Sequence, residues 1–139
     1  SKRGVVVFNT PGANADAVAE ITIGLMLSMA RQIPQAATKV SAEKAWDSAR
    51  HIGTELKSKT LGLLGFGQIG QRVAGIAQAF GMKVIAYDPG LTPSEIKGKG
   101  STPVSLEELA KDSDVLSLHA PAIEATKQII NKTNIFIIY

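Results

Sequence analysis

The segment Leu64–Arg72 reads LGFGQIGQR and places glycines at positions 65, 67 and 70. It lies between an apolar segment, 60–64, that is predicted as a strand and a segment, 68–80, with apolar residues at helical spacing. A glycine turn at the start of a helix directs backbone N–H groups and the positive end of the helix dipole to one point, where a phosphate can bind. The same glycines also occur where a helix merely packs closely on a strand, so both interpretations stand at this stage.

The next predicted strand supports the phosphate interpretation. Residues 83–87, KVIAY, end at Asp88, which follows Gly70 by 18 residues. A spacing of about 20 residues between the last glycine and an acid is typical of dinucleotide-binding turns. In that arrangement Gly65 forms the tight turn, Gly67 lets the backbone approach a pyrophosphate, and Gly70 packs helix against strand. Asp88 then accepts hydrogen bonds from the adenosine ribose and repels a 2′-phosphate, which favours NAD over NADP.

Strands and helices alternate from residue 60 onwards. Residues 102–104 and 115–118 are predicted as further strands. Thr92–Glu95 and Ser105–Glu108 have the form of capping boxes and mark two helix starts. Strands joined by such helices pair in parallel through right-handed crossovers. The sequence therefore predicts an α/β fold with a doubly wound parallel sheet, a Rossmann-like NAD-binding domain that is incomplete in this chain.

The first 59 residues differ in character from this alternating unit. A strand is predicted for GVVVF at 4–8 and a helix for Ala15–Arg31, capped by Asn14 or Asp16. One helical stripe, made of Val18, Ile21, Leu25 and Met29, is apolar, and the opposite side is apolar too. A helix apolar nearly all round must be covered on several sides, so we expect a further domain or a second subunit against it.

Three regions follow from this pattern. Residues 1–35 are predicted as an interdomain strand and junction helix, and residues 36–59, which are more polar and contain Trp46 and His51, as a linking arm. Residues 60–139 are predicted as a partial NAD-binding domain. His51 is expected to be a solvated surface residue.

Composition excludes several classes of function. The chain has no cysteine, which excludes a disulfide scaffold and favours a reducing cytosol. Its longest apolar run, residues 21–30, is too short for the roughly 20 residues that span a membrane. Scattered basic residues with a net charge of +3 and few aromatic residues argue against nucleic-acid binding. Asp112 and Asp114 alone do not make a metal site, because hard cations need more oxygen ligands.

Four segments, in order, resemble the landmarks of the D-isomer-specific 2-hydroxyacid dehydrogenases: NTPGANADAVAE, GTELKSKTLGLLGFGQIG, MKVIAYDP and DVLSLHAP. The resemblance implies an oxidoreductase that uses NAD and acts on the CH–OH group of a small 2-hydroxy acid. It also implies an NAD-binding domain inserted into a substrate domain, and a homo-oligomer formed through helix 15–31 and the arm. Within the family, ARQIPQA and GTEL are most similar to the enzyme of the first step of serine biosynthesis.

The resemblance also assigns site residues. It implies that Gln68 and Ile69 lie against the pyrophosphate, that Asp88 binds the ribose, and that His119, Ala120 and Pro121 border the adenosine side. His119 is expected to be structural, because the family's acid–base histidine lies far downstream. None of the family's catalytic arginine, glutamate and histidine is present in the 139 residues, so this chain alone is expected to be inactive.

One departure concerns the turn itself, since Gln68 stands where the family usually has arginine or histidine. A neutral contact in place of a charge-assisted one costs on the order of 1 kcal/mol of phosphate binding. Two alternatives to an enzyme also remain at this stage. One is a non-enzymatic NAD-sensing or partner-binding protein on the same scaffold, and the other is a poorly folding remnant whose terminal IFIIY is an unpaired strand.

Overall fold

The computed structural model describes residues 3–44 and 52–131. Its four strands form one parallel sheet in the order β3-β2-β1-β4. Along the chain the elements are α1 Ala15–Ala30, α2 Ile33–Glu43, β1 Thr60–Leu64, α3 Gln68–Ala79, β2 Lys83–Tyr87, α4 Pro93–Gly98, β3 Thr102–Pro103, α5 Leu106–Asp112, β4 Val115–Leu118 and a 3-10 turn Glu124–Thr126. The predictions for Trp46, His51 and the 132–139 tail lie outside the described residues.

The predicted fold class is confirmed, and β1 shows why the sheet forms. Leu61 and Leu63 are fully buried in a cluster that includes Val73 of α3. Gly62 points to the other face, where a Cβ at this position would lie 3.2 Å from Leu109 Cδ1 of α5. Because successive strand residues face opposite sides, α3 and α5 cover the two faces of the sheet. This is the doubly wound arrangement.

The helices after β2 begin where the sequence predicts. The Thr92 hydroxyl accepts a hydrogen bond from the Glu95 amide at 3.3 Å, and the Glu95 carboxylate accepts one from the Thr92 amide at 2.7 Å. Ser105 and Glu108 form the same reciprocal pair, with distances of 3.2 and 2.7 Å. Both capping boxes are therefore confirmed. Their carboxylates accept hydrogen bonds, which lower the pKa of Glu95 and of Glu108 below the usual value.

The predicted cap of α1 is wrong. Asn14 occupies the N-cap position but its side chain makes no capping hydrogen bond. Asp16, in the first turn, instead pairs with Arg72 of α3. The start of α1 is thus held by tertiary contact with α3 and not by a local cap.

The apolar surface of α1 divides into a covered and an uncovered face. Ala15, Ala19, Ile23 and Met26 are buried. On the opposite side Ile21, Leu25 and Met29 stay 61%, 59% and 79% exposed. The described part of the chain therefore covers only one of the two apolar faces that the sequence predicts.

Two further sequence predictions fail. Residues 4–8 form no strand, and their side chains are exposed, from 61% for Val5 to 88% for Phe8. Ordering a strand costs backbone entropy that burial must offset, and this segment buries little within the described residues. Phe80, predicted on the packed side of α3, is 43% exposed, because the helix packs through Gly70, Val73, Ala74 and Ala77. No helix of the described residues is long and apolar enough to cross a membrane.

Candidate dinucleotide-binding site

The glycine turn lies at the carboxyl end of the central strand. The Gly65 amide donates to Tyr87 O at 2.8 Å, and the His119 amide donates to Leu64 O at 2.7 Å. These bonds hold the ends of β1, β2 and β4 together around residues 65–67. In the sheet, β2 lies on one side of β1 and β4 on the other. The strand order therefore reverses direction at the carboxyl end of β1. Open α/β sheets bind ligands at such a point.

Two of the three glycines are required by the packing of the chain itself. Gly65 has a φ of +94°, and a Cβ there would lie 2.6 Å from Ala120 N and 2.7 Å from His119 C. At Gly70 a Cβ would overlap the carbonyl oxygen of Gly65. Any other residue would separate β1 from α3 or from the segment after β4. Packing alone explains these two positions.

Gly67 is different, because nothing lies within 4 Å of a Cβ placed there. Its backbone angles, φ −74° and ψ −157°, are ones that other residues adopt. Neither packing nor backbone strain within the described residues therefore calls for glycine at this position. A ligand that approaches the backbone closely would require glycine here, because it leaves no room for a side chain. The position of Gly67 therefore favours the pyrophosphate interpretation of the turn.

The start of α3 supplies the groups that a phosphate needs. Gly67 is the N-cap residue and, as a glycine, has no side chain to cap the first turn. The free N–H groups and the helix dipole at this end attract negative charge. They border a cleft of about 250 Å³, which is lined by Gly12, Asn14, Ala15, Gly67, Gln68, Ile69 and His119.

Asp88 is tied to the turn. One carboxylate oxygen accepts a hydrogen bond from the Phe66 amide at 2.7 Å and the other accepts one from the Gly90 amide at 2.8 Å. Because each carboxylate oxygen has two lone pairs, both oxygens retain an acceptor position for a ribose hydroxyl. The predicted ribose contact stays a prediction, and the sequence does not reveal the bond from Asp88 to the turn.

His119 and its neighbours form the wall beside Gly65. The His119 imidazole Nε2 is 3.0 Å from the Ser117 hydroxyl oxygen, and burial lowers the pKa of this half-buried ring. Ala120 contacts Gly65 through its backbone, while Pro121 is exposed and its carbonyl accepts a hydrogen bond from the Ile123 amide. The structural role expected of His119 stays a prediction.

The Gln68 side chain lies on the loop before α1. A Cβ at Gly12 would overlap its amide group, so Gly12, with a φ of +80°, leaves the space that Gln68 fills. The structure thus brings Gly65, Gly67, Gln68, Ile69, Gly70, Asp88, His119 and Ala120 together. It adds Gly12 and Asn14 to the cleft, two residues that the sequence analysis does not assign to a site. Both residues lie in NTPGANADAVAE, the first of the segments that resemble the family.

The comparison with known proteins agrees with this geometry. The family described as D-isomer specific 2-hydroxyacid dehydrogenase, NAD binding domain, matches residues 23–136. A hydroxypyruvate reductase of Thermotoga maritima is 48% identical over 134 residues, 96% of this chain and 42% of the relative. The D-3-phosphoglycerate dehydrogenase of Rattus norvegicus is 42% identical over 131 residues, 94% of this chain and 24% of the relative.

A solved structure carries the same fold. The D-lactate dehydrogenase from Aquifex aeolicus, complexed with NAD and lactic acid, has a TM-score of 0.83 and 36% identity, over 96% of this chain and 40% of that one. The chain thus spans less than half the length of these relatives. The match extends over almost all of the chain, including the glycine turn and Asp88. This chain therefore belongs to the D-isomer specific 2-hydroxyacid dehydrogenase family and contains part of its NAD-binding domain.

Proposed function

We propose that this chain holds NAD in an enzyme that oxidises the CH–OH group of D-3-phosphoglycerate, the first step of serine biosynthesis. The segments ARQIPQA and GTEL, which resemble D-3-phosphoglycerate dehydrogenase, and the 42% identity to the rat enzyme of that name support this substrate. The 48% identity to a hydroxypyruvate reductase supports hydroxypyruvate as a second candidate. Both belong to one reaction class, hydride exchange at C2 of a 2-hydroxy acid.

The residues of this chain would bind and orient the cofactor. The backbone at Gly67 and the first turn of α3 would take the pyrophosphate, with Gln68 and Ile69 alongside it. Asp88 would accept hydrogen bonds from the adenosine ribose, and His119, Ala120 and Pro121 would border the adenosine. NAD, when bound, accepts the hydride that leaves C2 of the substrate. We assign no catalytic residue to this chain.

The observation that supports NAD binding is that nothing in the described chain lies near a Cβ placed at Gly67. The variant Gly67→Ala tests this part of the proposal. We expect the variant to fold, with a loss of at most about 1 kcal/mol for alanine at an N-cap. NAD affinity should fall at least tenfold, about 1.4 kcal/mol, because the methyl group lies where the pyrophosphate approaches. Titration calorimetry with NAD and a thermal melt measure the two effects.

Gly75→Ala on the same helix is the matched control. Nothing lies within 4 Å of a Cβ at the exposed Gly75, so alanine should raise helix stability by about 0.5–1 kcal/mol. Its NAD affinity should equal that of the unmodified protein. Equal NAD affinity in Gly67→Ala would show that the turn is only a packing feature.

The substrate is tested separately. We expect the 139 residues alone to turn over neither D-3-phosphoglycerate nor hydroxypyruvate, because the family's catalytic arginine, glutamate and histidine are not among them. A protein that contains this chain with those residues should reduce NAD in the presence of D-3-phosphoglycerate. A strong preference for hydroxypyruvate with NADH would replace the first candidate substrate with the second.

We also propose that the enzyme is a homo-oligomer, held through helix 15–31 and the arm, and works in the cytoplasm. The exposed face of α1 supports the first statement, and the lack of cysteine is compatible with the second. The comparisons lend no support to a non-enzymatic NAD sensor, since the relatives reported above are named as enzymes.

A further inference from the structure

Phe66 lies between Gly65 and Gly67 in the turn. Its backbone N–H and its backbone carbonyl are both hydrogen-bonded to side chains. Its ring is fully buried beneath the turn. Its N–H donates to Asp88 at 2.7 Å, and its carbonyl accepts a hydrogen bond from the Gln71 side-chain amide at 2.9 Å. Gln71 is partly buried on the second turn of α3.

The hydrogen bond from Gln71 orients the whole peptide group between Phe66 and Gly67. The Phe66 carbonyl and the Gly67 N–H belong to one planar trans peptide, so the two groups point in opposite directions. Because Gln71 holds the carbonyl, the direction of the Gly67 N–H is fixed as well. Gly67 borders the cleft at the start of α3, and it is the glycine for which the packing of the chain gives no reason.

We propose that Gln71 is a positioning residue of the cofactor site, one that orients the Gly67 peptide for the pyrophosphate of NAD. The inference rests on the proposed role of the turn and adds a residue outside the GxGxxG spacing. Asp88 fixes the peptide before Phe66, and Gln71 fixes the one after it. Two consecutive peptides are thus aligned before a ligand arrives, which lowers the ordering cost of binding.

Gln71→Met tests the proposal, because methionine keeps the length and volume of the side chain but cannot donate a hydrogen bond. Gln78→Met is the matched control. Gln78 lies on the same helix, and its amide donates to a backbone carbonyl, that of Gly100, at 2.7 Å. Both variants lose one bond of the same kind, but only Gln71 contacts the turn.

We expect Gln71→Met to lower NAD affinity about five- to tenfold, the equivalent of one hydrogen bond to a partly buried group. Affinity for adenosine, which has no phosphate, should not change, and Gln78→Met should bind both ligands normally. In samples with NAD bound, amide hydrogen exchange should quicken at Gly67 in Gln71→Met and stay unchanged in β1. These measurements use calorimetry and exchange on the same samples.

Two outcomes would overturn the proposal. One is unchanged NAD affinity in Gln71→Met while the unmodified protein binds NAD. The other is an equal loss of NAD and adenosine affinity, which would indicate a general effect on the fold. If the unmodified protein bound no NAD, the proposed function would fail too, and this result is distinct from the first two.

Discussion

The Asp88 carboxylate serves two ends of the site. It accepts hydrogen bonds from Phe66 in the turn and from Gly90 after β2, and it is the residue to which the family resemblance assigns the ribose. Loss of this side chain therefore removes an anchor of the turn as well as a predicted ligand contact. Loss of the anchor should weaken binding of NAD and NADP alike, whereas loss of the carboxylate at the ribose should weaken binding of NAD alone. The two effects can therefore be separated.

For Asp88→Ala we expect affinity for both cofactors to fall, and that for NAD to fall further. The anchor matters to both pyrophosphates, but a carboxylate accepts from the NAD ribose and repels the 2′-phosphate of NADP. The preference for NAD should therefore narrow or reverse. Calorimetric titration with each cofactor measures this ratio. An unchanged ratio would leave Asp88 with its role in the turn alone.

His119 makes stability depend on pH in one direction. Burial lowers its pKa in the folded protein below the ordinary 6.5, so the folded state resists a proton that the unfolded chain accepts. Stability from this group is complete above pH 6.5 and decreases as the pH falls towards the folded pKa. In His119→Asn we expect a smaller loss of melting temperature between pH 7.5 and 5.5. A pH profile identical to that of the unmodified protein would contradict this assignment.

Elements with strong local signals are the ones that the sequence predicts correctly. β1, β2 and β4 have the predicted bounds, because each is a short apolar run enclosed by turn residues. The helix α1 ends at Ala30, close to the predicted Arg31. The failures are GVVVF, the cap at Asn14 or Asp16, and the packing of Phe80, and each depends on tertiary contacts. Periodicity does not encode such contacts.

The same limit applies to the site. The sequence predicts the glycines of the turn and Asp88 because their spacing along the chain is fixed. The sequence does not predict a role for Gln71, because no sequence pattern indicates that its side chain donates to the Phe66 carbonyl. Gln68 was readable as a departure from the family, but its position over Gly12 needed the structure.

The start of α5 gives a prediction at the scale of one element. Ser105→Ala removes the hydroxyl that accepts from the Glu108 amide, and we expect a loss of about 1 kcal/mol in unfolding free energy. Denaturant unfolding measures it. Ser94→Ala, inside the exposed part of α4, is a control that should change stability little. An equal loss in both would indicate that the box does not stabilise α5.

The described part of the molecule leaves an apolar face of α1 uncovered. Ile21, Leu25 and Met29 on α1 are each more than half exposed, and Ile33 at the start of α2 is 50% exposed. A helix face with several exposed apolar side chains is typical of an interface. Two occupants fit, namely a second copy of the chain, as we propose, or another part of the intact protein.

Leu25→Lys combined with Met29→Lys distinguishes them. If a second copy covers α1, two buried charges should dissociate the oligomer of the intact protein, and light scattering should show the mass of one chain. If another domain covers it, the mass should stay constant and the melting temperature should fall. Phe80→Lys, at an exposed residue that follows another helix, α3, should change neither. A double variant with unchanged mass and melting temperature would show that α1 is open to solvent in the intact protein.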